Sequence, residues 1–298
     1  MRIEQATSRE DLAAVADVVE RVHGLRIGVD ELEHDLAADT DTRFFLARRH
    51  GKVVGSGVGK RSSVYGALYA IARVLPEARR QGAGSALYAA LSDHAQALGL
   101  RELWGRVSEP DGLEFVVHRG FRETGREIES VLAVTRPPPA VLPPAGVDIT
   151  SLGDRPDLAE ACHAIDAEAL PDIPAAGDFV PAPFERWHAA NLEGSGALPH
   201  ACTVALAGEE VVGYAALLAR TAQPGTAEHQ LTAVKRAWRG RGIATALKRA
   251  QIAWAAQNGF ERLVTYNHKA NASMRGVNAR LGYVPQPPVV LVHGPLSR

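Results

Sequence analysis

Val234–Thr245 reads VKRAWRGRGIAT, and Val74–Ser85, 160 residues earlier, reads VLPEARRQGAGS. In each, an apolar run ends at a valine, arginines and glycines follow, and an amphipathic helical pattern begins. Val74, Arg79, Gly82, Gly84 and Gly99 recur as Val234, Arg239, Gly242, Ala244 and Gly259, and Leu87 recurs as Leu247. A match of this kind, kept in register, points to an internal duplication. Beyond the glycines, Leu87, Leu91, Ala95 and Leu98 fall on one helical face, as do Ile243, Leu247, Ala250 and Trp254. Gly99 and Gly259 stand where the glycine that ends a helix belongs.

The flanking segments repeat as well. Phe44–Ala47 with Val53–Val58, and Thr203–Ala207 with Val211–Leu218, are apolar runs joined by glycine turns, which predicts β-hairpins. Short strands are expected at Arg2–Glu4 and Val147–Thr150. Helices are expected at Arg9–Val22, Asp157–Ala169 and Phe184–Leu192. Strands follow at Glu102–Val107 and Arg262–Tyr266, with last strands at Ile128–Val134 and Val289–Val292. This is an α/β (α+β) layered domain made twice. Arg136–Gly146, RPPPAVLPPAG, has too many prolines for a helix or a central strand and reads as a semi-rigid spacer. The expected division is therefore a domain at 1–135, a linker at 136–146 and a second domain at 147–298.

Each loop suits an anion. Gly240 and Gly242 let backbone approach a ligand closely. The first amides of a helix lack internal partners and, with the helix dipole, favour a diphosphate. Lys235, Arg236, Arg239 and Arg241 add positive charge, and the first copy has Arg79 and Arg80 with Gly82 and Gly84. A Walker loop would need Gly-Lys-Ser/Thr, and a dinucleotide turn would need a third glycine; neither copy has them. Arg239-x-x-Gly242-x-Ala244 and Arg79-x-x-Gly82-x-Gly84 instead resemble the acyl-coenzyme A loop of the GNAT N-acyltransferase superfamily. The tandem layout and length resemble actinobacterial mycothiol-synthase-like two-domain acetyltransferases.

The resemblance implies two tandem domains, each with a mixed, mostly antiparallel central sheet flanked by helices, and acetyl-CoA or another acyl-CoA as the acyl donor. It assigns cofactor contacts to Thr232, Ala233 and Val234, to Arg239, Gly240, Arg241, Gly242, Ile243, Ala244 and Thr245, and in the first copy to Val74, Arg79, Arg80, Gly82 and Gly84. An amide near Thr232–Val234 would serve the developing oxyanion. Asn271, before a helix that closes with Gly282-Tyr283, would bond the cofactor's pantetheine or phosphate arm, or cap the helix, or both. Two residues are candidates for the base: Glu228, six before Val234, and His229. Strand alternation puts them on opposite faces. The family's acid tyrosine is absent; Asn278 stands at its position and could bond the coenzyme sulfur or a water. The first half has Leu68 at the base position, Val116 at the tyrosine position and Glu109 at the asparagine position. It is expected to be degenerate, with catalysis in the second half.

The acceptor expected is a primary amine, of a small molecule. Asp172, Asp178 and Glu185 could attract it, and Phe179, Phe184 and Trp187 could wall it, unless Phe184 and Trp187 are core. A net charge of −1, from 33 basic and 34 acidic residues, disfavours a nucleic-acid binder. No apolar run approaches the ~18 residues of a membrane span, and the N-terminus lacks a signal-peptide pattern, so a cytoplasmic protein is expected. Cys162 and Cys202 form no metal-spacing pair and read as buried apolar groups; no metal is expected. Two rivals remain. An acyl-CoA sensor would bind without turnover. A dinucleotide enzyme would bind NAD or FAD.

Overall fold

The computed structural model describes residues 1–62, 66–108, 110–135, 140, 142–174, 181–194, 196–221 and 223–297. Glu109, Asp178, Phe179 and much of the expected linker lie outside them. The chain forms two compact units, Met1–Arg126 with Thr221–Gln223 and Val289–Arg298, and Glu127–Arg220 with Pro224–Pro288.

In the first unit the elements are β1 (Arg2–Ala6), α1 (Arg9–His23), α2 (Val29–Ala38), β2 (Arg43–Arg49), β3 (Lys52–Arg61), β4 (Leu68–Val74), α3 (Ala83–Ala97), β5 (Glu102–Val107) and α4 (Pro110–Val117). Next, β6 (Arg122–Ala133) runs out of this unit, leaving only its first residues here. In the second unit β7 (Asp148–Ser151), α5 (Ala159–Ala169), α6 (Phe184–His188), β8 (Thr203–Ala207), β9 (Glu210–Ala219), β10 (Thr226–Val234), α7 (Ile243–Gln257), β11 (Arg262–His268), α8 (Ala272–Arg280) and β12 (Val284–Pro285) follow in order. The last strand is β13 (Val289–Pro295).

Within each unit the strands pair antiparallel except at one pair, β4 beside β5 in the first and β10 beside β11 in the second. The parallel strands pair only briefly. β4 meets β5 at Leu68 and Tyr69; β10 meets β11 at Thr226, Ala227 and Glu228. Beyond those points each pair splays, and the remaining backbone groups on that side have no ladder partner.

The contiguous two-domain division is corrected by the last strands, which are exchanged. Glu127–Ala133 of β6 pairs with β11 and so belongs to the second unit. The final strand of the chain, β13, pairs with β5 and belongs to the first. In each unit the antiparallel strand beside β5 or β11 thus comes from the other half of the sequence. Val292 and Phe121 are buried with Leu68, Ala95 and Leu103 in the first unit; Leu263 and Tyr283 are buried with Leu217, Ile252 and Ala255 in the second.

α3 keeps the predicted face, burying Leu87, Leu91 and Ala95, whereas α7 buries Ile243 and Leu247 together with Ala246, Ile252 and Ala255 and leaves Ala250 and Trp254 half-buried. Leu87 and Leu247 are both fully buried. Gly99 and Gly259 are left-handed, at φ 72° and 83°. The expected helix Phe184–Leu192 is shorter: α6 ends at His188 and a wide π turn spans Ala189–Glu193. α2, which no sequence signal singled out, fills the stretch before the first hairpin. Cys162 of α5 and Cys202 are both buried in one core cluster, and burial pushes their thiols up to about 12 and about 11.

Candidate active sites

The two glycine loops fold alike. Gly82 (φ 89°) and Gly242 (φ 86°) stand directly before α3 and α7. Only a residue without Cβ adopts this left-handed geometry without strain. A Cβ built on Gly82 would meet nothing within 4 Å, and one on Gly242 only Pro144 at 4.0 Å, so the space before each helix is open. Arg79 Nε donates to the Val74 carbonyl at 3.4 Å, and Arg239 Nε to the Val234 carbonyl at 2.9 Å. The motif arginine thus ties the loop to its own strand end. The loops differ at one turn, where the first holds Arg80 left-handed (φ 58°) and the second has Gly240 (φ 77°). Open space, outward amides and a tethering arginine fit a diphosphate.

The charges around the second loop are already engaged. Asp172 Oδ2 accepts from Arg236 Nε at 3.0 Å and from Arg239 Nη1 at 2.7 Å. Hydrogen bonds from these two arginines hold the Asp172 carboxyl down at about 2. Glu168 accepts the Arg236 backbone N–H at 2.8 Å, Lys235 pairs with Glu210 at 2.8 Å, and the Arg241 guanidinium lies 4.6 Å over the Trp238 ring. Asp172, which could have attracted a cationic amine, instead ties down the glycine loop.

Glu228 and His229 do face opposite ways. His229 is buried between Gln251, 2.9 Å from Nδ1, and the Tyr283 hydroxyl. Burial, with Lys248 nearby, pushes its pKa well below the ordinary value. Gln251 in turn donates to the Ala201 and Ala215 carbonyls at 3.0 and 2.9 Å. His229 is therefore a neutral core histidine with both ring nitrogens occupied, which corrects its place among the candidate bases. Lys248, also buried and 5.1 Å from the Tyr283 ring centre, is pulled down to about 7 by desolvation.

On the other face, Glu228 Oε2 accepts from Arg220 Nε at 3.0 Å, and Arg220 Nη2 donates to the Tyr266 hydroxyl at 2.7 Å. Burial raises the Tyr266 pKa, so the phenol stays protonated. Tyr266 belongs to no motif in the sequence; its signal is register, since Glu228 pairs with Val264, two residues before it on the same face of β11. Directly beyond Glu228, β10 bulges: its register against β9 shifts between His229 and Thr232. A bulge frees backbone groups from the ladder and re-aims them, and it lies just before Thr232–Val234. β4 pairs with β3 without a break.

Asn271 caps α8, its Oδ1 accepting from Met274 N–H at 3.2 Å. Asn278 is buried; its Nδ2 donates to Asn267 Oδ1 at 2.6 Å, while its own Oδ1 has no hydrogen-bond partner. An orphaned acceptor is what an incoming amide or thiol would satisfy. Trp187 is core, its indole N–H donating to Asp166 at 3.2 Å, and Phe184 stacks against it.

The first unit contains a cavity of about 520 Å³. It runs from the loop, at Arg79, Gly82 and Gly84, along the splay of β4 and β5 to Ala70–Val74 and Gly105, and reaches His23. Phe115 of α4 closes one side; a Cβ on Gly84 would sit 3.2 Å from its ring, which explains a glycine where the second loop carries Ala244. Among the described residues, no helix is long and apolar enough to cross a membrane.

The acetyltransferase (GNAT) family model matches residues 14–121 and again 163–283. Among solved structures, a GCN5-related N-acetyltransferase from Sphaerobacter thermophilus is similar with a TM-score of 0.80 at 18% identity, over 99% of this chain and 96% of that one. A tandem GNAT protein from the clavulanic acid biosynthesis pathway gives 0.77 at 19% identity, over 100% and 99%. A glucosamine N-acetyltransferase region of a fungal multi-domain GH3 β-N-acetylglucosaminidase gives 0.72 at 14%, over 98% of this chain and 38% of that one. No curated protein sequence matches the chain.

Proposed function

Because the chain belongs to the GNAT acetyltransferase family, with two copies of its domain, we propose that it moves an acetyl group from acetyl-CoA to a primary amine of a small molecule, by direct attack in the second unit. The observation that carries this reading is the Glu228–Arg220–Tyr266 cluster beside the β10 bulge, which has no counterpart at Leu68. Acetyl-CoA, when bound, supplies an activated acyl carbonyl. Gly240, Gly242 and the first amides of α7 would hold its diphosphate, and Asn271 and Asn278 would bond its arm.

The chain's own residues then do three things. An amide of Thr232–Val234, released from the ladder on the splayed side, donates to the carbonyl oxygen. Glu228, oriented by Arg220, takes a proton from the amine. Tyr266 hands a proton to the departing sulfur; Arg220 donates to its oxygen, so the phenol proton is directed to another acceptor. This gives the acid role to a tyrosine on β11, in place of the family tyrosine replaced by Asn278.

Release of free coenzyme thiol from acetyl-CoA across a panel of primary amines tests the reading. Turnover with at least one amine, reduced about 100-fold by Glu228→Gln with acetyl-CoA affinity kept, is expected. Tight binding with no thiol release from any amine would sink it and favour a binding module without turnover.

A further inference from the structure

Arg73, next to the last residue of β4, lines the cavity of the first unit. Its Nε is sealed from solvent and has no hydrogen-bond partner. No carboxylate pairs with it among the described residues. Directly across the ladder stands Ser56, fully buried, whose hydroxyl is also without a hydrogen-bond partner. Burial pulls the Arg73 pKa below the ordinary arginine value, and Tyr69 pushes it the other way. The Arg73 side chain is half-buried, with its Nε sealed and without an acceptor; a sealed N–H left unpaired is costly, and such groups persist where something compensates them.

The rest of the cavity is cationic too. Among the described residues Arg79, Arg80, Arg106 and Arg119 line it with one acid, Glu114, which already pairs with Arg80 at 2.9 Å. Ser56↔Arg73 and Val58↔Ile71 are cross-strand pairs on one face, whereas Gly57 and Gly55 face Leu87 of α3. Arg73 therefore lies on the α1 side of the sheet, across the splay from α3, while the loop at Arg79 and Gly82 opens the same cavity at its other end. One ligand that meets both needs a phosphate-bearing end and a second anionic end. In the second unit the corresponding residue is Ala233, so this feature is not shared by the two copies.

We propose that the first-unit cavity takes an acyl-coenzyme A whose acyl chain ends in a carboxylate, with Arg73 as the seat of that carboxylate. The inference rests on the reading that the glycine loops bind acyl-coenzyme A. A planar guanidinium accepts a carboxylate through two parallel hydrogen bonds, which a methyl-ended chain cannot supply.

The full chain carrying Gly242→Glu, which blocks the second loop, is titrated calorimetrically with acetyl-, butyryl- and succinyl-coenzyme A. Succinyl-coenzyme A is expected to bind at least tenfold more tightly than butyryl-coenzyme A. Adding Arg73→Met should bring the two within twofold, with the melting midpoint unchanged or raised, because an uncompensated charge is removed. If that double variant does not fold, Arg73→Lys replaces it and should weaken the preference several-fold. Binding of all three thioesters with no preference for succinyl overturns the inference and leaves the acyl-coenzyme A reading standing. Binding of none overturns that reading itself. If free succinate binds the acetyl-coenzyme A-loaded protein in an Arg73-dependent way while succinyl-coenzyme A shows no advantage, the carboxylate belongs to a second molecule and the proposal fails.

Discussion

The two units share a loop and differ in the strand that leads to it. In the first, β4 runs unbroken, carries Leu68 at its start and Arg73 near its end, and borders an open cavity. In the second, β10 bulges, carries Glu228 in a cluster with Arg220 and Tyr266, and leads to a loop whose arginines are held by Asp172. What was kept in both is the local loop geometry: a left-handed glycine, a helix N-terminus and an arginine tied to the strand's last carbonyl. What changed are side chains facing the splay. A duplicated domain can thus keep one loop frame in both copies while the side chains around it diverge.

The comparison can be broken first at the exchanged strands. Deleting Val289–Arg298 removes β13, and with it six cross-strand pairs on β5. The expected outcome is loss of the first unit, seen as collapse of amide protection across Glu102–Val107, although the deleted residues end the second half of the sequence. Retained protection there would contradict the exchange. The helices sharpen the likeness: Leu87→Ala and Leu247→Ala, both at fully buried positions, should each cost about 2–5 kcal/mol in denaturant unfolding. A cost at one site only would mean that the two helices do not do equivalent work. Glu228→Gln, a change of about 100-fold in turnover, follows in size.

The smallest effect expected is at the latch. Asp172→Asn should tighten acetyl-CoA binding at the second loop several-fold, since two guanidinium groups are released to the ligand. The Asp172 carboxyl is held down at about 2. Its ion pairs are therefore complete above the ordinary carboxylate value of about 3.9 and are lost as pH falls through about 2. Between pH 5 and 8 the ratio of variant to wild-type affinity should stay flat; weaker binding by the variant would show that Asp172 shapes the loop for the ligand.

The glycine loops, their helices and both hairpins were legible because their determinants are local: a glycine at positive φ, a helical stripe, a turn between apolar runs. The exchange of last strands was not legible. Ile128–Val134 and Val289–Val292 are both short apolar runs, and nothing in such a run names the strand it will pair with. The site was legible in part. Alternation told that Glu228 and His229 face apart, but which faces the core depends on Gln251 and Tyr283, far along the chain. The bulge carries no glycine to mark it. The Asp172 latch joins residues more than sixty positions apart, through a segment with little regular pattern. Arg73 carries no sequence signal, because whether its Nε finds a partner depends on the elements packed around it.

The central claim is that the second unit transfers the acyl group while both units bind it. The most direct test measures acetyl-CoA stoichiometry and amine-dependent thiol release together, on the wild type and on Gly242→Glu. The account predicts two sites and turnover in the wild type, and one site with turnover abolished in the variant. One site remaining with turnover intact would place the chemistry in the first unit and contradict it.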